Sequence, residues 1–369
     1  MHIVIDARIR RSGTGRYADR LLEHLQAVDR VNRYTVLLEP GDTWRAVADN
    51  FKMVPCKYKQ FSFSPIEQIG FARQLYGLKP DLVHFTMTQQ PILYFGRIVT
   101  TTHDLTMLYY TRPGRLPAWV HAIRMAGYKF LFWWGHKKSR RIIVPSNFVS
   151  RKLAELHPFT KDKIVVTYEA ADVIPGKAKR PDGVKKSFIF HVGSPFPHKN
   201  IDRLVEAYKE LTVDSEQRRD KPLQLVLAGK REHYFARLES KIKKMPAAKN
   251  IVLPGRVSDE ELLWLYKNAE AYVLPSLSEG FGLPGVEAML HGCPLVASNA
   301  TCLPEIYDGG AHYFNPESTE DMARAIKEVL SSKILRDDLI SKGKERAAQF
   351  SWQKMAQQTL ETYQQSLKP

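Results

Sequence analysis

Short apolar runs alternate with longer stretches of helical spacing in the first half of the chain. Apolar runs at 2–7, 34–38, 82–85 and 98–105 have the length of buried strands, whereas apolar residues recur every three or four positions in 17–28. Strands that alternate with helices are typical of a parallel sheet. The pattern therefore predicts an α/β domain that opens with a strand, a glycine-bearing loop and a helix.

The same alternation starts again after residues 172–186, a segment rich in proline, glycine and charge that has no periodicity. Apolar runs resume at 188–194 and recur to the end of the chain. A chain of 369 residues also exceeds the ~150 residues of a common single domain. We therefore expect two α/β domains, over residues 1–173 and 187–351.

The positive charge of the chain lies almost entirely in its first half. The net charge is +16, and residues 1–180 hold 29 Lys/Arg against 14 Asp/Glu, whereas the remainder is nearly balanced. A one-sided positive field indicates an anionic partner, which includes phosphate groups, a membrane surface and nucleic acid. Zinc-finger, RRM and KH signatures are absent from the sequence, so we do not expect nucleic acid to be the partner.

The cysteines and the first residues indicate where the protein works. The sequence has three cysteines, an odd number, without C-x-x-C spacing. This argues against a disulfide framework or a zinc site. The sequence has no run of ~18 apolar residues, and MHIVIDAR goes straight into a strand pattern. We expect a cytoplasmic protein, either soluble or peripheral on the inner face of the cell membrane.

Two acidic residues mark the most informative stretch, SLSEGFGLPGVEAMLHGCP at residues 276–294. Glu279 falls on a loop and Glu287 on a helix, which we predict from about residue 283 to 291. Pro284 suits the first turn of that helix, and Gly292 followed by a proline is typical of its end. The helix N-terminus thus comes directly behind Glu279.

The backbone at this helix start is suited to binding an anion. Its N–H groups lie at the positive end of the helix, and they belong to Gly280, Phe281, Gly282 and Leu283. A carboxylate beside a phosphate is repelled unless it faces hydroxyls, so we expect Glu279 to bind a sugar and Glu287 a ribose. The simpler alternative, a solvated loop acid and a first-turn helix acid, stays open for an isolated pair.

Two further positions have the chemistry of a phosphate or sugar site. Lys199 precedes a helix predicted over 201–211, and a cation is disfavoured at that end of a helix unless an anion binds there. His103 ends an apolar run, and ligands of open α/β sheets collect beyond the strand C-termini. A lysine on a solvated turn and a purely structural histidine are the competing interpretations.

The motif E-G-F-G-L-P-x-x-E-A-M, followed by G-C-P-L-V-A-S, resembles the signature of family 4 retaining glycosyltransferases of the GT-B fold, the mannosyltransferase-like group 1 enzymes. This resemblance implies two Rossmann-like domains that face each other across a cleft, with a C-terminal helix at about 352–369 joining the first domain. It implies transfer of a hexosyl unit from a GDP- or UDP-linked sugar to a saccharide or lipid-linked acceptor, in cell-surface polysaccharide or glycolipid biosynthesis, with no cofactor.

The resemblance also assigns roles to residues. It implies catalytic roles for His103, Lys199 and Glu279, with Asp104 orienting the histidine. It implies that the donor is bound by Gly13, Gly15, Arg16, Ser194, Asn200, Arg256, Val257, Gly280, Phe281, Gly282, Leu283 and Glu287. Many members carry an arginine directly before the lysine or just after the preceding glycine, whereas this chain has His198 and Ser194 there. That departure removes one permanent positive charge from the expected diphosphate clamp.

The absence of a D-x-D motif from the sequence bears on the reaction. Without it, Lys199, Arg16 and the helix start after Gly280 must stabilise the departing diphosphate, so we expect no metal requirement. The resemblance implies retention of configuration by front-face attack. The alternatives are a GT-B nucleotide-sugar epimerase and an inactive module that binds membranes or nucleic acid.

A long aromatic-rich helix is predicted from Trp119 to Lys138. We expect one stripe of this helix to pack inward and the opposite side to be exposed; the inward set is Trp119, Ile123, Ala126, Phe130, Trp133 and Trp134, and the outward set is Met125, Tyr128 and Phe132. Residues 112–163 hold 12 Lys/Arg and 2 Asp/Glu. An aromatic face with basic neighbours suits a membrane surface. A helix buried on both sides is the open alternative.

Overall fold

A computed structural model describes residues 1–11, 14–58, 64–111, 117–185, 187–215, 222–231 and 233–368. The chain divides into two compact units. Unit 1 comprises Met1–Leu108, Arg115–Glu169 and Ser351–Pro369, and unit 2 comprises Ala170–Phe350 with Tyr109–Gly114. The break after Glu169 comes a few residues before the predicted boundary at 173.

Unit 1 is built on a seven-stranded sheet in which every strand pair is parallel. The strands run in the order β3-β2-β1-β4-β5-β6-β7. Their bounds are β1 His2–Asp6, β2 Arg33–Leu38, β3 Phe51–Pro55, β4 Leu82–Phe85, β5 Ile98–Thr101, β6 Arg141–Val144 and β7 Ile164–Val166. The strands near the middle of the sheet are buried along their whole length, as their continuous apolar runs predict.

The helices of unit 1 connect these parallel strands. Their bounds are α1 Gly15–Val28, α2 Pro65–Leu78, α3 Thr106–Tyr109, α4 Ala118–Lys138 and α5 Asn147–Leu156. Helix α1 buries Tyr17, Leu21, Leu22 and Leu25, which are the residues whose spacing predicts the helix. The strand, loop and helix predicted at the start of the chain are therefore confirmed.

Unit 2 repeats this architecture with a six-stranded parallel sheet in the order β10-β9-β8-β11-β12-β13. Its strands are β8 Phe188–Val192, β9 Gln224–Ala228, β10 Ile251–Gly255, β11 Ala271–Leu274, β12 Leu295–Ser298 and β13 Ala311–Phe314. Its helices are α6 Ile201–Ser215, α7 His233–Ile242, α8 Asp259–Asn268, α9 Leu283–Leu290, α10 Leu303–Tyr307, α11 Thr319–Ser331 and α12 Lys333–Ala347. Both units are therefore Rossmann-like, as the sequence predicts.

The last helix, α13 (Trp352–Leu367), returns to unit 1 and packs against α1. Its buried Tyr363 hydroxyl lies 2.6 Å from Nδ1 of His84 on β4. The other ring nitrogen of His84 lies 2.8 Å from the Thr101 hydroxyl, which in turn lies 3.0 Å from the hydroxyl of Tyr17. Burial lowers the pKa of His84 to about 3, so this network is neutral and joins α13, β4, β5 and α1.

The orientation predicted for α4 is wrong, because the stripe expected to pack inward is the exposed one. Trp119 and Ile123 are 69% and 64% exposed, whereas Phe132 is buried with Ile142 of β6. A hydrogen bond of 2.8 Å between Nε2 of His136 and the Thr102 hydroxyl holds this buried side against the sheet. The packing of the last two turns of α4 therefore sets its rotation. None of the described helices is long and apolar enough to span a bilayer.

Candidate active site

The loop between β11 and α9 has the geometry that its glycines predict. Gly282 immediately precedes α9 with φ +86°, a conformation that glycine adopts without strain. A Cβ atom at this position would lie 2.2 Å from the hydroxyl oxygen of Tyr307, which donates a 2.6 Å hydrogen bond to the Gly282 carbonyl. Tyr307 thus fixes the turn from which the helix N-terminus starts, and the predicted helix start at Leu283 is confirmed.

Glu279 and Lys199 form an ion pair in this loop region. Nζ of Lys199 lies 2.6 Å from Oε1 of Glu279, and the Ser276 hydroxyl donates to the same oxygen at 2.7 Å. The two side chains are 20% and 12% exposed, so the pair is partly accessible to a ligand. Burial would raise the pKa of Glu279, but the Lys199 charge and the two hydrogen bonds outweigh it and lower the pKa.

Lys199 is positioned by the residue that follows it. Lys199 ends a short 3₁₀ turn, and Asn200 adopts the left-handed conformation with φ 59° before α6 begins. The Asn200 amide nitrogen donates to the carbonyls of Pro275 and Pro316 at 3.1 and 2.8 Å, and its oxygen accepts from Arg203 at 3.0 Å. The side chain predicted to contact the donor is therefore engaged within the protein, where it holds the lysine turn beside the end of β11.

The second acid of the motif, Glu287, lies on α9 and is buried. Its Oε2 accepts a 3.1 Å hydrogen bond from the hydroxyl of Tyr266 on α8. Phe281 packs edge-on against Phe350, and Gly280 is buried next to it. Both acids therefore flank the start of α9, as the motif predicts, and each already accepts a hydrogen bond from a neighbouring side chain.

The remaining residues assigned to donor binding lie at loop positions after strands or on α1. Ser194 follows β8 and is half-buried, and Arg256 and Val257 follow β10, with Arg256 exposed. Gly15 begins α1, and a Cβ there would lie 1.9 Å from the Arg10 carbonyl oxygen, so close packing alone requires glycine. Arg16 is exposed in the next position, and Gly13 lies outside the described residues.

His103 of unit 1 follows β5 and lies, mostly covered, between two acceptors. Its Nε2 lies 2.9 Å from the Thr86 carbonyl, which can only accept, so this nitrogen carries a hydrogen. Its Nδ1 lies 3.3 Å from Oε1 of Glu169. Burial would lower the pKa of His103, but the hydrogen bond and charge of Glu169, with the Thr86 carbonyl, raise it above the usual value. The geometry thus favours an imidazolium, donating from both nitrogens.

This arrangement corrects the predicted orientation of His103. The carboxylate of Asp104 accepts from the backbone N–H of Thr106 at 2.8 Å, at the start of α3, so the hydrogen bond that orients the histidine comes from Glu169 instead. Sequence reasoning missed Glu169. Its place shortly after β7, among side chains at the carboxyl ends of parallel strands, is the signal that indicates it.

Comparison with known proteins agrees with the motif. The family described as glycosyl transferases group 1 matches residues 176–346, and glycosyltransferase family 4 matches residues 11–173. The O-antigen chain mannosyltransferase B of Escherichia coli is 29% identical over 277 residues, which are 72% of this chain and 70% of that protein.

Two solved structures share the fold along nearly the whole chain. Sucrose-phosphate synthase from Thermosynechococcus elongatus superimposes with a TM-score of 0.78 at 18% identity, covering 99% of this chain and 98% of that one. The Anabaena protein HepE in complex with UDP and glucose gives 0.72 at 15% identity, over 99% and 100%. The solved structures confirm the fold, and the two family matches, which together cover most of the chain, confirm the resemblance: the chain belongs to the group 1, family 4 glycosyltransferases of the GT-B fold.

Proposed function

We propose that the protein is a retaining, metal-independent hexosyltransferase that uses a nucleotide-sugar donor and a saccharide or lipid-linked acceptor of cell-surface polysaccharide biosynthesis. The observation that carries this proposal is the accessible Lys199–Glu279 pair beside the start of α9. It provides one cation for a diphosphate and one carboxylate for sugar hydroxyls. The name of the E. coli relative favours a mannosyl donor, with GDP-mannose as the first candidate.

The residues of unit 2 would act mainly on the leaving group. During transfer, the bond between the sugar C1 and the phosphate oxygen breaks and a bond from the acceptor oxygen to C1 forms on the same face. The acceptor proton passes to the departing phosphate oxygen. Lys199 and the backbone N–H groups at the start of α9 stabilise the negative charge that develops on the diphosphate. No D-x-D motif is present to hold a metal for this purpose.

His103, with Glu169, would contribute an oriented dipole and not a direct hydrogen bond to the substrate. Both of its ring nitrogens are engaged by Glu169 and the Thr86 carbonyl, so the ring has no further N–H to offer a sugar hydroxyl. The imidazolium and the Glu169 carboxylate together form a neutral pair, and the field of that oriented dipole is weakened less in a low local dielectric than in water. We therefore assign to His103 an electrostatic role.

A donor panel tests this function. Turnover of GDP-mannose, UDP-glucose, UDP-galactose and UDP-N-acetylglucosamine is measured with and without a lipid-linked saccharide acceptor, in excess EDTA. We expect acceptor-dependent release of one nucleoside diphosphate, undiminished by EDTA and with the anomeric configuration kept in the product. Interconversion of donors without acceptor would instead identify an epimerase, and a strict Mg²⁺ or Mn²⁺ requirement would contradict the leaving-group chemistry.

We further propose that unit 1 attaches peripherally to an anionic membrane surface through the aromatic face, which we define as Trp119, Ile123, Phe130 and Trp133 of α4 with Phe95. These side chains are all exposed, and Phe130 stacks over Trp134, which also contacts Phe95 and Trp133. Exposed Arg124 and Lys129 lie on the same helix, within a segment that has a strong basic surplus. Aromatic rings bordered by basic side chains suit the headgroup region of an anionic leaflet.

Vesicle sedimentation tests this attachment. Wild-type protein should sediment with anionic vesicles at low salt, and high salt or neutral vesicles should release most of it. The double variant Trp119→Ser/Ile123→Ser should lose most of this binding. Ile334→Ser is the matched control, since Ile334 is 84% exposed on α12 of unit 2. Wild-type protein that stays in the supernatant at low salt would rule the attachment out.

A further inference from the structure

We propose that Glu279 acts as an internal counter-ion of Lys199 and thereby makes the site select the sugar-bearing donor over the bare nucleoside diphosphate. This inference rests on the proposed function, because it takes Lys199 as the cation that holds the diphosphate. It assigns to Glu279 a specificity-determining role in addition to contact with the sugar. The consequence is that the enzyme weakens the binding of its own nucleotide product.

The first step of the argument is that the cation already has a partner. At 2.6 Å, with the Ser276 hydroxyl on the same oxygen, the carboxylate occupies the position beside Nζ that a phosphate oxygen would take. A diphosphate that approaches Lys199 must therefore share the ammonium with Glu279. Two anions on one cation repel each other, and the repulsion is strong in a site with little solvent.

The second step is that Glu279 is held in place by its surroundings. Its backbone N–H donates to the Thr301 hydroxyl at 3.2 Å, and its carbonyl accepts from the thiol of Cys302 at 3.4 Å. The side chain is mostly buried, and its pKa is lowered, so the carboxylate stays charged at neutral pH. Because its backbone is held on both sides and its carboxylate accepts from Lys199 and Ser276, Glu279 has little room to turn away from the phosphate.

The third step concerns what offsets the repulsion. Sugar hydroxyls of an intact donor are hydrogen-bond donors, and a carboxylate that accepts from them gains charge-assisted hydrogen bonds. A bare nucleoside diphosphate brings the same negative charges without those hydroxyls. For the intact donor, hydrogen bonds from the sugar therefore offset the repulsion between its diphosphate and Glu279. The bare nucleoside diphosphate has no such offset. After transfer, the product is left in a site that repels it.

Titration calorimetry with UDP and GDP on the full chain tests the inference. We expect Glu279→Gln, which keeps the shape and removes the charge, to bind the preferred nucleoside diphosphate about tenfold more tightly than wild type. Its affinity for the intact donor should stay the same or fall, so the ratio of donor to product affinity decreases. Steady-state product inhibition should strengthen in parallel.

The controls separate this inference from the proposed function. Glu328→Gln removes a carboxylate that pairs with Arg324 on α11 of the same unit, and it should change nucleotide affinity less than twofold. Lys199→Ala should weaken binding of the diphosphate; if it does not, the proposed role of Lys199 is wrong. If Lys199→Ala weakens binding but Glu279→Gln leaves it unchanged or weaker, the counter-ion role is overturned. Glu279→Asp, with a retracted carboxylate, provides a second variant with an intermediate expected gain if the glutamine variant does not fold.

Discussion

Among the described residues, a glutamate of each unit pairs with a cation, Glu279 in unit 2 and Glu169 in unit 1, and the two pairs differ in what the cation can do. In unit 2 the partner of Glu279 is Lys199, and this pair is partly exposed. In unit 1 the partner of Glu169 is His103, where the side chains are only 9% and 7% exposed. The first pair is open to a ligand, and the second is closed.

The difference indicates two ways of using the same interaction. An accessible lysine can exchange its partner carboxylate for a phosphate, because both are anions and the ammonium is flexible on its stem. A histidine with both ring nitrogens engaged cannot exchange either partner without losing a buried hydrogen bond. We therefore expect Lys199 to act on the substrate directly, and the His103–Glu169 pair to act as a fixed dipole.

The largest expected effect comes from removing the exchangeable cation. Lys199→Ala should lower kcat by roughly 10² or more, as for the loss of one donor that stabilises an oxyanion. The measurement is steady-state turnover of the donor selected by the panel. Lys241→Ala is the control, since Lys241 pairs with Asp202 on the exposed surface of unit 2 and should turn over normally. A kcat within twofold of wild type for Lys199→Ala would mean that Lys199 does not act on the substrate directly.

A third carboxylate sharpens the comparison, because the buried Glu287 accepts from a phenol hydroxyl and not from a cation. Tyr266 provides that hydrogen bond at 3.1 Å. If Glu287 also binds ribose hydroxyls, Glu287→Ala should weaken binding of the bare nucleotide by about 1–3 kcal/mol. This change is opposite in sign to the one expected for Glu279→Gln, and calorimetry on both variants measures it directly. Tighter nucleotide binding by the Glu287 variant would reassign the two acids.

The pair of His103 and Glu169 should make the stability of the protein depend on pH. The folded-state pKa of His103 is raised, so its stabilisation is fully present below the unfolded value of about 6.5 and is lost as pH rises through the folded value. Glu169→Gln should therefore lower Tm most near pH 6 and least near pH 9, by about 2–4 °C at the maximum for a contribution near 1 kcal/mol. Thermal scans across that range measure it. A constant gap would mean that His103 is neutral.

The smallest effect should come from removing the Ser276 hydroxyl, the neutral group that contacts the Lys199–Glu279 pair. Ser276→Ala removes one hydrogen bond of 2.7 Å from Glu279 but leaves the charge of Lys199 in place. We expect a loss of about 0.5–1.5 kcal/mol in the free energy of unfolding and a change in kcat below about fivefold. Chemical denaturation and turnover measure the two quantities. A loss of turnover as large as that of Lys199→Ala would show that the hydroxyl and not the ammonium is essential.

The parts of the site that depend on local sequence were predictable. The bounds of α9 follow from Pro284 and Gly292, and the approach of Lys199 to an anion follows from its place before α6. In the structure Lys199 meets Glu279, which lies 80 positions away in the chain. Local patterns identify which groups are charged, but only tertiary packing decides which of them meet.

The role of Glu169 and the orientation of α4 were not predicted correctly, because both depend on tertiary packing. Glu169 is an ordinary loop residue until β7 is placed in the sheet beside β6, on the far side from β5. The rotation of α4 depends on which of two aromatic stripes fits the sheet, and both stripes have helical spacing. The contact of His136 with Thr102, 34 positions earlier, favours the side that buries Phe132. Periodicity alone assigns no direction to a helix that is apolar on two sides.

The return of α13 to unit 1 sets an order on biosynthesis. On the ribosome, the strands of unit 1 emerge first, but α13 with Tyr363 is translated only after all of unit 2. Domains generally fold in the order of synthesis, yet here unit 2 can complete its core while Nδ1 of His84 still lacks its Tyr363 partner. Until α13 is synthesised, the surface of α1 that it covers stays exposed in the nascent chain. We expect chaperones to bind the chain mainly during this interval.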